Sequence, residues 1–217
     1  MKLIIPTIFA HTKKQFNERL KKLLPIAKEL HIDFMDVKFV KAKGVNIEDI
    51  TNLKKYRSVF EAHLIVMNPS QYVLALKKNG FKKIIFHYEA VKDKDKILGL
   101  IYYIKNKGMK AIIAINPETI IDKIKDFLHE IDGVLLMGVY PGKEKQEFIS
   151  GVYNKIKSLR KINKKIIIQI DGGVNISNIK KLNNVGVNYI NSGSFINDSD
   201  NPKKALKELE KAFNQHQ

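Results

Sequence analysis

Four histidine and aspartate residues occupy positions from which their side chains could meet. If the segment HIDFM at residues 31–35 is a β-strand, side chains two residues apart share a face, which groups His31 with Asp33 and Met35. His63 lies in a second apolar run, EAHLIV, and Asp171 lies in a third, QIDGGV. Imidazole and carboxylate groups are ligands of zinc, iron and manganese. The four residues therefore indicate a divalent-metal site, provided that the fold brings the three runs together.

The elements that would position these residues alternate regularly. Short β-branched apolar runs are separated by amphipathic stretches with lysine on one face, such as KDKILGLIYYIKNKG. Apolar strands that alternate with helices are typical of a parallel sheet buried on both faces. Eight such units in 217 residues predict an α/β fold, a single (β/α)₈ TIM barrel with a parallel eight-stranded core, as one domain over residues 1–217. The predicted strands are residues 3–8, 31–35, 59–66, 83–87, 111–115, 133–139, 165–170 and 188–193.

An open, doubly wound sheet is the other arrangement to consider. It would usually contain fewer strands, and no GxGxxG motif follows the first run. In a barrel, functional residues are expected at the carboxyl ends of the strands. The histidines and aspartates above lie in three of the predicted strands or directly after them, which suits a barrel site.

Proline and glycine mark the expected helix ends. Pro25 interrupts the first amphipathic stretch, KKQFNERLKKLLPIAKEL, and is expected to kink or divide it. Gly80, Gly108 and Gly186 occur where helices should stop before the next strand. Between the second and third strands the pattern is weak and predicts at most a short helix near Asn46–Lys55.

The composition excludes several classes of protein. The chain is 44% hydrophobic and 28% charged, as is usual for a soluble domain. It has no apolar run of about 18 residues that could cross a membrane. Pro6 interrupts the short apolar stretch near the N-terminus, which predicts a first strand and not a signal peptide. Cysteine is absent, which excludes disulfides and thiolate metal sites. We therefore expect a cytoplasmic protein that does not associate with membranes.

The net charge of +17 is a feature shared with nucleic-acid-binding proteins. However, the only arginines are Arg19, Arg57 and Arg160, and the lysines are scattered along the predicted helices and turns. Arginine is the usual reader of phosphates and guanine edges because its planar fork donates two hydrogen bonds. We therefore expect a solvated cationic surface and no nucleic-acid partner. A basic nucleic-acid-binding barrel without catalytic activity is the non-enzymatic alternative.

Motifs along most of the chain resemble those of the ribulose-phosphate 3-epimerase family, in the same order from Pro6 to Ile196. LHIDFMDVKFV is similar to the family's HxDxMDGxFV, and EAHLIVMNP is similar to its HLMVxxP. FHYEA resembles FHxEA, AINPET resembles LNPxT, and LLMGVYPG resembles LLMSVxPG. IDGGVN resembles VDGGVN, and NSGSFI is similar to the AGSxIF element. Seven motifs in order make the resemblance specific.

The resemblance implies a metal-dependent sugar-phosphate epimerase. The family's four metal ligands fall on His31, Asp33, His63 and Asp171, which would hold one divalent ion of zinc, iron or manganese. Asp33 and Asp171 would also be its acid–base pair. The implied reaction interconverts D-ribulose 5-phosphate and D-xylulose 5-phosphate in the pentose phosphate pathway. One aspartate would remove the C3 proton and the other would return a proton to the opposite face, while the metal stabilises the enediolate. Homo-oligomers are also implied, because the family forms dimers and larger assemblies.

Further residues are implied around the sugar and its phosphate. Loops after strands 7 and 8 often bind phosphate in such barrels, and glycine allows close backbone approach there. The substrate- and phosphate-binding candidates are Thr7, Gly142, Gly172, Gly173, Gly193 and Ser194. Additional candidates are Met35 and Met137, which would line the site; His87, either behind the ligands or in the core; and Lys143 and Lys145.

The two lysines belong to a loop that departs from the family. The family's PGFGGQ is PGKEKQ at residues 141–146, so two glycines are replaced by charged residues. Either Lys143 or Lys145 supplies an ammonium group in place of backbone N–H donors, or the loop tilts away from the phosphate.

Other departures leave the substrate open. MDGxFVPN is MDVKFVKA here, and HLMV is HLIV. A ketohexose 6-phosphate, such as allulose 6-phosphate, is therefore an alternative substrate. Barrels of the decarboxylase and hexulose-phosphate synthase type carry DxKxxD. Asp36 and Lys38 begin that motif, but Lys41 stands at its final position.

Overall fold

Eight parallel strands form a closed barrel in the computed structural model, which describes residues 2–50 and 52–215. Each strand pairs with the next along the chain, and the last pairs with the first. The predicted fold class is therefore confirmed. The strands are β1 (Leu3–Ile8), β2 (Glu29–Met35), β3 (Val59–Ile65), β4 (Lys83–His87), β5 (Lys110–Ile115), β6 (Gly133–Met137), β7 (Ile167–Asp171) and β8 (Tyr189–Ser192).

Helices and short turns connect the strands. The α-helices are α1 (Lys13–Leu23), α2 (Val73–Asn79), α3 (Tyr88–Val91), α4 (Lys94–Asn106), α5 (Val152–Ile162), α6 (Ile176–Asn184), α7 (Ser194–Asn197) and α8 (Pro202–Asn214). The 3₁₀ helices are Ile47–Asp49, Leu53–Lys55, Pro69–Tyr72, Ile121–Lys123 and Lys125–Phe127. None of the described helices is long and apolar enough to cross a membrane.

Most of the core lies between the barrel and its helices. Successive side chains of a strand point to opposite faces. In β2, Leu30, Ile32 and Phe34 therefore point outward and join this apolar layer, in which they are at most 1% exposed. The alternate residues of β2 point into the barrel. The alternation thus produces an apolar layer outside the barrel, while the side chains inside it need not be apolar.

The barrel interior is divided into two halves. One half is apolar, where Ile85 of β4 packs with residues of β5 and β6, and the cluster consists of Ile85, Ile112, Ala114, Leu135 and Met137. The other half is polar and is formed by β2, β3, β7 and β8 together with the two ends of β4. The buried polar residues there are Glu29, His31, Asp33, Glu61, His63, Lys83, His87, Gln169, Asp171 and Asn191. Buried charges require partners, so this half must be satisfied by its own network or by a ligand.

Helix ends agree with the glycine and proline signals, with one correction. Helix α2 ends at Gly80, which has a φ of 99° and donates to two carbonyl groups of the last turn. Helix α1 stops at Leu23, two residues before Pro25. The prediction that Glu29 and Leu30 continue the helical stretch is wrong, because they begin β2 and pair with β3.

The segment between β2 and β3 contains two single-turn 3₁₀ helices, Ile47–Asp49 and Leu53–Lys55, in place of the short helix expected near Asn46–Lys55. Thr51 lies outside the described residues.

Candidate active site

Four side chains converge inside the carboxyl end of the barrel. His31 and Asp33 come from β2, His63 from β3 and Asp171 from the end of β7. One ligand atom from each lies within 4.8 Å of all the others, so the group could hold a metal ion. The register aligns Asp33 with His63 across β2 and β3, which places both on the same level of the barrel. The four residues predicted to meet are thus brought together.

The nitrogen and oxygen atoms of these four side chains lie close together and face a common centre. Asp33 Oδ1 lies 2.9 Å from His63 Nδ1 and 3.2 Å from His31 Nε2. Asp171 Oδ2 lies 3.4 Å from His63 Nδ1 and 3.7 Å from His31 Nε2. The two imidazole nitrogens are 3.2 Å apart.

A buried carboxylate fixes the orientation of His31. Its Nδ1 lies 2.7 Å from Glu61 Oε1, and both side chains are fully buried. An ionised carboxylate only accepts, so His31 Nδ1 carries the proton and Nε2 faces the cluster. Glu61 also accepts from Gln169 Nε2 and from Lys83 Nζ, and Lys83 pairs with Glu29. Burial raises the pKa of Glu61, but His31, Lys83 and Gln169 outweigh it, so the pKa lies below its usual value.

A second carboxylate orients His63 through His87. His63 Nε2 lies 3.0 Å from His87 Nε2, and His87 Nδ1 lies 3.2 Å from Glu89 Oε2. Glu89 is held in turn by the Asn116 backbone N–H at 2.8 Å and by Thr119 Oγ1. Burial lowers the pKa of His87, so its ring is neutral and donates to Glu89. Its Nε2 then accepts from His63 Nε2, which turns His63 Nδ1 toward the cluster.

The cluster attracts positive charge. Burial lowers the pKa of His31, but Asp33, Glu61 and Asp171 together raise it well above its usual value. The pKa of His63 is likewise raised, since Asp171 and Asp33 outweigh burial. Burial raises the pKa of Asp33, yet His31 and His63 lower it below its usual range. Either protons or a cation must therefore neutralise the two carboxylates. Two imidazoles and two carboxylates form a donor set that suits a divalent metal ion.

A pocket of about 820 Å³ opens at the carboxyl ends of β1, β2, β6, β7 and β8. We call it the mouth pocket. Both aspartates reach it, with side chains of Asp33 and Asp171 that are 6% and 13% exposed. Most of the other candidates also line it, and these are Thr7, Met137, Gly142, Lys143, Lys145, Gly172, Gly173, Gly193 and Ser194. Met35 packs instead with Phe9 and Ile65, and His87 lies directly behind His63.

Gly172 and Gly173 are required by the turn that follows β7. Their φ angles are 93° and 71°, in the region that favours glycine. A Cβ at Gly172 would lie 2.3 Å from Val139 Cγ2, and one at Gly173 would lie 2.8 Å from Phe148 Cα. The two glycines therefore let the chain run closely against the loop after β6.

The loop after β6 lines the mouth pocket and does not tilt away from it. Lys145 Nζ forms an ion pair with Asp198 Oδ2 at 2.9 Å, and the lysine side chain is 71% exposed. The intervening residue, Glu144, forms a two-point ion pair with Arg19, with both N–O distances at 3.1 Å. An interaction of either lysine with phosphate remains a prediction.

Several residues of the site were not predicted. Glu61, Gln169, Asn191 and Glu89 surround the four converging residues. They lie in the segments EAHLIVMNP, QIDGGV, NSGSFI and FHYEA quoted above, but none of them was singled out as a site residue. Ser192 was also missed. Its hydroxyl, like that of Thr7, is buried in the pocket wall with no partner among the described residues. The NSGS sequence at the end of β8 was the available signal for Ser192.

Comparison with known proteins identifies the family. A model described as the ribulose-phosphate 3 epimerase family matches residues 3–197. The chain belongs to this family. Ribulose-phosphate 3-epimerase from Schizosaccharomyces pombe is 27% identical, over 95% of this chain and 91% of the relative. The cytoplasmic isoform from Oryza sativa is 33% identical, over 84% of this chain and 81% of the relative. The prediction of an isomerase of the epimerase type is confirmed.

Solved structures share the barrel. The 3-hexulose-6-phosphate synthase from Salmonella typhimurium has a TM-score of 0.74 at 16% identity and covers 100% of both chains. A structure of KGPDC from Streptococcus mutans has a TM-score of 0.75 at 12% identity, over 97% of this chain and 96% of the other. At such identities the likeness shows the fold alone.

Metal content provides a test of the converging residues. Purified protein is expected to contain about one divalent ion per chain, because the donor set is complete within the chain. His31→Ala and His63→Ala should each lower the metal content severely. His129→Ala changes an exposed histidine and serves as the control. Elemental analysis of the wild-type protein and the variants measures the outcome. Equal metal content in all of them would show that the ion is bound elsewhere.

The carboxylate behind His31 provides a second test. Glu61→Gln should weaken metal binding about 10–100-fold, because it removes the charge that orients His31. Lys83 keeps its pairing with Glu29, so the change leaves no unpaired lysine. Competition against a chelating dye measures the affinity, with the exposed Glu48→Gln as the matched control. An unchanged affinity in Glu61→Gln would contradict the orienting role.

Proposed function

We propose that this protein interconverts D-ribulose 5-phosphate and D-xylulose 5-phosphate, as a cytoplasmic enzyme of the pentose phosphate pathway. Support comes from membership of the family and from relatives named ribulose-phosphate 3-epimerase, one of them a cytoplasmic isoform. The observation that carries the proposal is the pair Asp33 and Asp171. Both carboxylates reach the mouth pocket, and they come from strands β2 and β7, which are not neighbours in the barrel.

Inversion at C3 requires two proton transfers. The hydrogen on C3 lies beside the C2 carbonyl, so a base can remove it once the resulting charge is stabilised on oxygen. A proton must then arrive from the opposite face. With the sugar lying across the mouth pocket, one aspartate faces each side of C3. One carboxylate accepts the proton and the other carboxyl group donates one, and the roles reverse in the opposite direction.

Asp33 is in the ionised form that a base requires. Its pKa lies below its usual range because His31 and His63 outweigh the effect of burial, so its carboxylate is ionised at neutral pH. Asp171 is more exposed, with 13% of its side chain accessible, and its carboxylate opens onto the pocket. The imidazoles hold the two carboxylates in place through the contacts described above.

His31, Asp33, His63 and Asp171 would hold one ion of zinc, iron or manganese. Such an ion supplies Lewis-acid stabilisation of negative charge on a carbonyl oxygen. The orientation of the imidazoles comes from the chain itself, since Glu61 accepts from His31 and Glu89 acts on His63 through His87.

The phosphate is assigned to the β7 and β8 end of the mouth pocket. Gly172, Gly173 and Gly193 line this end, Gly193 leaves room for a ligand beside its backbone, and the hydroxyls of Thr7 and Ser192 are available as donors. Gly142 and Ser194 line the same region. A ketohexose 6-phosphate remains the alternative substrate, and assays of ribulose 5-phosphate beside allulose 6-phosphate decide between the two.

Substitution of the two aspartates tests the mechanism. Asp33→Asn and Asp171→Asn should each lower the turnover of ribulose 5-phosphate by about 10²–10⁴-fold, because each removes a proton-transferring group at nearly constant size. The metal content of each sample is measured as well, and turnover is expressed per bound ion. This separates lost proton transfer from lost metal.

The exposed Asp95→Asn on α4 is the control for a neutralised aspartate. Near-normal epimerisation by both site variants would leave the family membership intact and remove the two-aspartate mechanism.

A further inference from the structure

The loop after β6 places a carboxylate at the end of the mouth pocket assigned to phosphate. Glu144 Oε1 lies 3.6 Å from the point that a Cβ at Gly193 would occupy, and Thr7 Cβ lies 3.7 Å from the same point. The buried hydroxyls of Thr7 and Ser192, which have no partner within the described chain, belong to this region. These two hydroxyls are free to pair with a polar ligand, and Glu144 stands beside Thr7 at this end of the pocket.

Arg19 holds Glu144 in this position. The guanidinium, carried by α1, donates from both terminal nitrogens to the two carboxylate oxygens at 3.1 Å, and it also donates to the carbonyl oxygen of Phe9. Each partner of the ion pair is 25% exposed. A planar guanidinium fork suits a carboxylate and a phosphate equally, since each offers two oxygens at the required spacing.

A phosphate dianion and the Glu144 carboxylate would repel each other strongly at such short range. We propose that Glu144 is a resident anion that the substrate's phosphate displaces, and that Arg19 then passes from Glu144 to the phosphate. The inference rests on the proposed function, because it takes the substrate to be a sugar phosphate. Arg19 is thus a phosphate-binding residue, and the Glu144 carboxylate competes with the phosphate for its guanidinium group.

The loop is suited to such an exchange. Its other ion pair, Lys145 with Asp198, is exposed at 71% and 47% and so stabilises the loop little. Lys145 also has a φ of 61°, a region that is unfavourable for residues other than glycine. Gln146 Nε2 donates to the carbonyl oxygens of Tyr140 and Lys143, at 2.6 and 2.7 Å, which keeps the turn together when Glu144 moves.

Binding of inorganic phosphate to the metal-loaded protein tests the proposal by calorimetry, without any sugar. Glu144→Gln should bind phosphate at least about tenfold more tightly, because a like charge is removed. Arg19→Gln should bind it at least about tenfold more weakly, because a charged two-point donor is lost. Glu118→Gln, an exposed carboxylate in the loop after β5, is the control and should match the wild-type protein.

Tighter phosphate binding by Glu144→Gln together with weaker binding by Arg19→Gln supports the exchange of Arg19 between the carboxylate and phosphate. If the ion pair only held the loop in place, both variants would change the phosphate affinity in the same direction, since either variant breaks the pair. Any pattern other than opposite shifts, including no change in either variant, overturns the proposal. Epimerisation by the wild-type protein is measured separately. Opposite shifts without epimerisation would remove the proposed function alone, and epimerisation without opposite shifts would remove the exchange alone.

Discussion

Two buried carboxylates face two buried imidazoles inside this barrel, and much of the interior is arranged around the charge that they share. Asp33 and Asp171 cannot both remain ionised in a low-dielectric interior without positive charge beside them. Each imidazole must therefore present a particular nitrogen to the centre. Glu61 determines which nitrogen of His31 faces the centre, and the pair His87 and Glu89 determines it for His63. The same arrangement suits a divalent cation.

This requirement explains why the barrel interior is apolar on one side only. The cluster around Ile85, Ile112 and Leu135 fills the side of β5 and β6 and meets β4 only at its middle residue, Ile85. The polar side contains a chain of contacts that runs from Glu29 through Lys83 and Glu61 to His31. Because every member is buried and paired, a change at one end alters the charge balance at the other.

The strands and the four converging residues could be predicted because both depend on local patterns. β-Branched runs indicate strands, and alternation assigns His31 and Asp33 to one face. The surrounding network could not be predicted in the same way, since the contact of Glu61 with Gln169 depends on the barrel's closure and register. The pairing of Arg19 with Glu144 joins α1 to the loop after β6, and nothing in either segment indicates the other. Glu29 was misassigned because its lysine-rich surroundings continue the helical pattern past Pro25.

The central claim is that separate aspartates serve the two faces of C3. Proton nuclear magnetic resonance of the sugar product formed in D₂O, during the first few per cent of conversion, tests it most directly. If one aspartate removes the hydrogen and the other, already exchanged with solvent, delivers its replacement, the xylulose 5-phosphate formed carries deuterium at C3 from the outset. Product that retains the original hydrogen at C3 would contradict the account, because the same proton would then have been removed and returned.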